Sequence, residues 1–206
     1  GGSYDQRNGL LDLAQRIELV LIDTGTVIRC EALQAVVSTP DQALHSAQFW
    51  DHVDIQEHDK TIKAKKGSYA VVDNALSLSG DVRMTVHQFR NLIRKESADR
   101  IENPQNAEIL SKPALLECDQ LSLDRQSQNA TASGDVHVVQ KAQQARAEQA
   151  RYVEDDDIIY LDENVSIMKE NGEWIQADKV IAHLQDENFE AVGEVDTEFI
   201  LKGKKR

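Results

Sequence analysis

The feature that most constrains this chain is a degenerate repeat. In WIQADKVIAHLQDENFEAVGEVDTEF, residues 174–199, two apolar-patterned segments flank a polar stretch at 185–188. Ile175, Ala177, Val180, Ala182 and Leu184 mark the first segment; Phe189, Ala191, Val195 and Phe199 mark the second, with Gly193 at its middle. Ala177 and Gly193 are sixteen residues apart, and so are Ala64 and Gly80, Cys118 and Gly134, and Ala147 and Glu163. Two residues after each second anchor stands a valine: Val82, Val136, Val165 and Val195. An earlier, looser unit runs from Ile28 to Ile55, with Asp51 in the glycine position and Thr39-Pro40-Asp41 in a longer turn.

Apolar residues two apart share one face of a strand. The step of three after each small anchor (Ala64 to Gly67, Cys118 to Leu121) breaks that alternation once, as one extra residue in a β-bulge would. Glycine in the second segment suits a bulge or sharp bend. Each unit therefore reads as a bent antiparallel hairpin, and about five stack into an all-β fold. Gln140 to Gln149 has high helix propensity, but the repeat register predicts a strand over 145–152. Leu10, Leu11, Leu13, Ile17 and Leu21 have loosely helical spacing, which predicts a short helix or irregular start before a strand near 17–22.

The step from Ala64 to Cys118 is 54 residues, against later steps of 29 and 30. An insert is therefore expected over 88–112, with Phe89, Leu92, Ile93 and Ile101 spaced for a short amphipathic helix. It would cover part of the sheet or dock a partner. The resulting division is 1–26, 27–87, 88–112, 113–201 and a basic tail at 202–206. Gly1-Gly2-Ser3 looks like an expression remnant, so an upstream signal or anchor is expected to be missing.

A net charge of −13 argues against nucleic-acid binding. No apolar run reaches membrane-spanning length. Cys30 and Cys118 occupy equivalent anchors four strands apart, roughly 19 Å at the usual strand spacing. That is too far for a disulfide, so two free buried thiols are expected. His45, His52 and His58 with Asp51, Asp54 and Asp59 do not converge as metal ligands must, and Asp155-Asp156-Asp157 reads as a solvated turn. No phosphate loop or nucleophile elbow is present. The expectation is a protein that is not an enzyme and uses no metal or cofactor.

If each hairpin folds into a V, the inner faces form one trough. Its lining would be Ile62, Leu76, Leu78, Val82, Met84, Leu116, Val136, Val138, Ile159, Leu161, Val165, Ile167, Ile175, Phe189 and Val195, with Gly80, Gly134 and Gly193 at the bends. Such a stripe can be a dry core that closes on itself, giving a scaffold or docking module, or a groove for acyl chains.

The segments PALLECDQLSLDRQSQNATASGDVHVVQ and ARAEQARYVEDDDIIYLDENVSIMKENGEWIQADKVIAHLQDENFEAVGEVDTEF resemble the OstA-like repeats of the lipopolysaccharide-transport periplasmic family, LptA and LptC. The shared pattern is a small residue with Asp (Cys118-Asp119, Ala177-Asp178), then Gly-Asp-Val or its variant (Gly80-Asp81-Val82, Gly134-Asp135-Val136, Glu163-Asn164-Val165). AQFWDHVDI and IKAKKGSYAVVDNALSLSGDVRM are more similar to the LptC branch. Asp51, Glu163 and the insert depart from the pattern.

The resemblance implies a V-bent β-jellyroll that holds lipopolysaccharide acyl chains in its trough. It also implies a periplasmic location, with anchorage to the inner membrane through an N-terminal helix outside this sequence. The implied partners are inner-membrane ABC transporter subunits and another OstA-like bridge protein, joined by edge-strand addition near 27–37 or 189–201. Lys60, Lys63, Lys65 and Lys66 would need to gather at the trough mouth to offset the acidic charge against lipid phosphates.

Overall fold

The computed structural model describes residues 1–22, 24–38, 43–87, 112–141, 143–184 and 188–199. They form one antiparallel sheet of thirteen strands, with no helix among the described residues. The strands are β1 (Gly2–Asp5), β2 (Leu10–Leu21), β3 (Thr26–Val37), β4 (Leu44–Gln56), β5 (Lys60–Ala70), β6 (Ala75–Val86) and β7 (Ala114–Asp124). β8 (Ala130–Gln140), β9 (Gln143–Val153), β10 (Ile158–Lys169), β11 (Trp174–His183), β12 (Asn188–Val192) and β13 (Asp196–Glu198) complete it. Each strand pairs with its neighbour in sequence from β1 to β12, and β13 continues the last edge beside β11. β9 is a strand despite its helix-prone composition: Ala145, Ala147, Ala150 and Tyr152 turn inward beside the aliphatic faces of β8 and β10.

Every pair from β2–β3 to β10–β11 shifts register at its middle. Between Ser79–Gln120 and Val82–Cys118, two residues of β6 oppose one of β7. That is a bulge, and it increases local bending. The extra residue lies on the even-numbered strand, not at the step of three on the odd one as the spacing had suggested. Its backbone signature is a left-handed doublet, found at Gln15-Arg16, Asp51-His52, Gly80-Asp81, Gly134-Asp135 and Glu163-Asn164 and reduced to Gly193 in the last unit. Asp51 and Glu163 thus adopt the glycine conformation, and the bend persists without glycine.

The doublet at Gln15-Arg16 reveals a sixth unit. Residues 10–21 form β2, paired along its length with β3, rather than a helix. Leu11, Leu13, Ile17, Leu19 and Leu21 pack on the core at a period of two.

The bends fold the sheet over its own apolar face. A flat single sheet leaves one face in water, yet Ile28, Phe49, Ile55, Ile62 and Val82 are fully buried. Each strand therefore contributes half its length to one arm of a V and half to the other. One arm carries the 114–118 half of β7 and the 136–140 half of β8; the opposite arm carries 120–124 and 130–133. Two clusters fill the interior, a large one spanning β3 to β8 and a small one of Ala147, Leu161, Val165, Ala177 and Val180.

Candidate functional site

The bend motif has a direct physical reason. At Gly134 (φ +76) an added Cβ would lie 2.5 Å from Asp119 Oδ2, and at Gly193 it would meet the Asp178 carboxylate. The Asp after the small anchor therefore covers the glycine of the next strand. Asp178 Oδ2 also accepts the Glu194 N–H at 3.0 Å. At Gly80 the covering residue is Lys65, whose ammonium pairs with Asp81 at 2.6 Å and holds that carboxyl below its ordinary range.

This geometry also puts charge on the outer spine. Asp119, Asp135, Glu148, Glu163, Asp178 and Glu194 are all exposed at successive bends. Much of the acidic excess thus faces away from the interior.

Between the arms lies a cavity of about 540 Å³ under β6 to β11. One arm lines it with Met84, Leu116, Val138 and Ile167, the other with Ile159 and Leu161. These six belong to the expected trough. Ile62, Leu76, Leu78, Val82, Val136, Val165 and Ile175 are also buried, but in packed interior rather than at the cavity wall. Phe189 and Val195 are half-exposed on the last edge, where no further strand covers them, and Phe189 pairs with the cavity-lining Ala182.

The spacing did not identify Ala130, Ala132, Ala145 and Ala150 as wall residues, although all four border the cavity. The available signal was small side chains where other units carry larger ones.

The cavity rim is polar, with Glu57, Lys60 and Arg125 at its centre. Glu57 sits in the β4–β5 turn of one arm and Arg125 in the β7–β8 turn of the other. Arg125 Nη2 pairs with Glu57 Oε1 at 3.0 Å and donates to Thr26 Oγ1 at 2.6 Å. Lys60 Nζ reaches Glu57 Oε2 at 2.9 Å. The Arg125 and Glu57 side chains are each 11% exposed. This clasp joins the arms, and Arg125 Nη1 has no partner among the described residues. Of the four lysines expected at the mouth, only Lys60 reaches it; Lys63, Lys65 and Lys66 are exposed elsewhere.

Cys30 and Cys118 are free and buried. Burial, with a smaller contribution from Asp119, pushes the Cys118 thiol up to about 11. The acidic turn is only partly solvated: Asp155 and Asp156 are exposed, but Asp157 is fully buried and accepts the Tyr152 hydroxyl at 3.0 Å. Tyr69 makes the equivalent bond to Asn74 at 3.0 Å. Among the described residues, no group of three or more His, Cys, Asp or Glu side chains is placed to hold a metal ion. The amphipathic segment expected around 88–112 lies almost wholly outside the described residues, as do the turn at 39–42 and the tail from 200.

The family model described as LptA/(LptD N-terminal domain) LPS transport protein matches residues 95–188, just under half of the chain. Over that stretch the chain is similar to the LptA-like lipopolysaccharide-transport family. The matched residues include β7 to β11, which form most of the cavity wall. The LptC-like similarity at 27–87 falls outside the match.

Among solved structures, the chain is similar to LptH, the LptA-homologous periplasmic component of the conserved lipopolysaccharide transport device from Pseudomonas aeruginosa. The identity is 8% and the TM-score 0.34, with 97% of this chain and 100% of that chain covered. No curated protein sequence matches the chain. Among the described residues no helix is long and apolar enough to cross a membrane.

Proposed function

We propose that this protein is a non-enzymatic periplasmic carrier. It shelters lipopolysaccharide acyl chains between the arms of the bent sheet and passes them from an inner-membrane ABC transporter towards the outer membrane. The observation that carries this reading is the cavity of about 540 Å³, which lies largely within the LptA-like stretch and is lined mainly by aliphatic side chains. Its size is within the ~300–1,000 Å³ typical of ligand pockets.

Affinity would come from burying hydrocarbon, at about 25 cal/mol per Å². The exposed β12–β13 edge, with Phe189, Val192, Val195 and Phe199 unburied, offers backbone groups for strand addition to another OstA-like bridge. Anchorage through an N-terminal segment outside this sequence is part of the same proposal.

A scaffold role draws support from the packed β3–β6 interior, where Phe49, Ile55 and Ile62 leave no room for cargo. Titrating the folded monomer with purified lipopolysaccharide and with a hydrophobic dye separates the two roles. The carrier role predicts saturable binding of both, with dye binding insensitive to salt. Absence of binding by the folded protein leaves the scaffold role.

A further inference from the structure

We propose that the cargo has a fixed seat for an unbranched hydrocarbon chain beneath β8 and β9, created by Ala130, Ala132, Ala145 and Ala150. The proposal rests on the carrier reading and narrows it to one place in the fold. All four alanines border the cavity. At the position of Ala132, three other units carry Phe49, Leu78 and Leu161 and the edge unit carries Ala191; at that of Ala145 they carry Ile28, Ile62, Leu116 and Ile175. The alanines therefore remove wall from one stretch of an otherwise filled interior.

Gly67 shows what happens when such a gap is filled. It occupies the repeat position of Ala150 and is smaller still, yet the Phe49 ring lies where its Cβ would be. The fully buried Phe49 closes that gap from within the chain. No described side chain closes the alanine gap in the same way, and the cavity lies there. Protein interiors are packed close to crystal density, so an apolar gap of this size is favourable to an apolar guest. Much of the surrounding wall, on both arms, is aliphatic: Leu116, Val138, Ile159, Leu161 and Ile167. The aromatic Tyr152 keeps its hydroxyl on Asp157. A flexible alkyl chain fits such walls better than a planar ring, which gains most from aromatic partners.

Filling the gap should block the seat without loosening the fold. Dodecanoate binding is measured by calorimetry and stability by thermal unfolding on the same preparations, with purified lipopolysaccharide titrated in parallel. Ala132→Leu and Ala150→Leu are each expected to weaken dodecanoate by about tenfold or more while Tm does not fall. Ala47→Leu, in the packed region, is expected to lower Tm and leave dodecanoate affinity unchanged. Either filling variant serves alone if the other fails to fold. Undiminished affinity in a folded filling variant overturns the seat. If lipopolysaccharide still binds the wild type in that case, the carrier role survives without it. If the wild type binds neither dodecanoate nor lipopolysaccharide, both fail.

Discussion

The β3–β6 and β8–β11 regions use the same repeat and the same bend, yet one interior is solid and the other hollow. In β3–β6 the inward positions are Ile28, Leu33, Phe49, Ile55, Ile62 and Leu78, all buried. In β8–β11 alanine takes several of those positions, and Ile159 and Ile167 are only half-buried beside open volume. Backbone geometry fixes the shape of the interior, while side-chain volume at equivalent positions fixes where it is open. The clasp between Glu57 and Arg125 stands on the rim of the open region, tying its two arms together.

The comparison can be broken most forcefully by truncating one residue on each side. Phe49→Ala should cost about 3–5 kcal/mol, because a fully buried ring leaves a cavity that the sheet cannot collapse into. Leu161→Ala, at a wall already beside open space, should cost about 2 kcal/mol, near the lower end for such changes. Urea unfolding of both variants checks this, and equal losses would erase the distinction between the regions.

Breaking the clasp comes next. Arg125→Met leaves Glu57 with Lys60 but removes the link between arms, and should cost about 3 kcal/mol for a largely buried pair. Replacing both partners by apolar residues of similar size should recover much of that loss. A single-variant loss below about 0.5 kcal/mol would place the pair with ordinary surface ion pairs.

Smaller effects are expected at the bends, where the two regions are alike. Gly134→Ala should destabilise by about 1–2 kcal/mol, from a positive φ and the clash with Asp119. Glu163→Gly should stabilise by up to about 1 kcal/mol, since Glu163 holds φ 66 with a side chain that disfavours it. If both substitutions destabilise, Glu163 makes a contact that outweighs its backbone strain.

The effect of Cys118 is absent at neutral pH and emerges only in alkali. Its folded thiol keeps a proton up to about 11, while an unfolded thiol ionises near 9.0. Between those values the folded state binds more protons, so stability should fall as pH rises from 9.0 towards 11. Cys118→Ala should flatten that part of the stability–pH curve, and an unchanged slope would assign it to other groups.

The sequence revealed the strands and most bends because alternation, the step of three and Gly-Asp-Val recur in register. It concealed the bend at Gln15-Arg16 because neither residue favours a left-handed conformation; only the run Leu11, Leu13, Ile17, Leu19, Leu21 carries that signal. Four of those positions, Leu11, Leu13, Ile17 and Leu21, also satisfy a loose helical reading, and only pairing with β3 resolves the ambiguity. The expected edge at 27–37 was misplaced for the same reason: β3 is flanked by β2 and β4, and β1 is the N-terminal edge. Inward-facing residues were legible, but which of them meet open space was not. That depends on volumes summed across two arms. The Glu57–Arg125 clasp joins turns far apart in sequence and carries no local pattern at all.

The most direct measurement is photocrosslinking of purified lipopolysaccharide to single probe residues at Leu161 and Ile167 in the open region and at Leu33 in the packed one, with exposed Asp135 and Asn164 as controls. The account predicts labelling at Leu161 and Ile167 and none at the other three. Equal labelling at Leu33, or none at Leu161 and Ile167 in the folded protein, would contradict it.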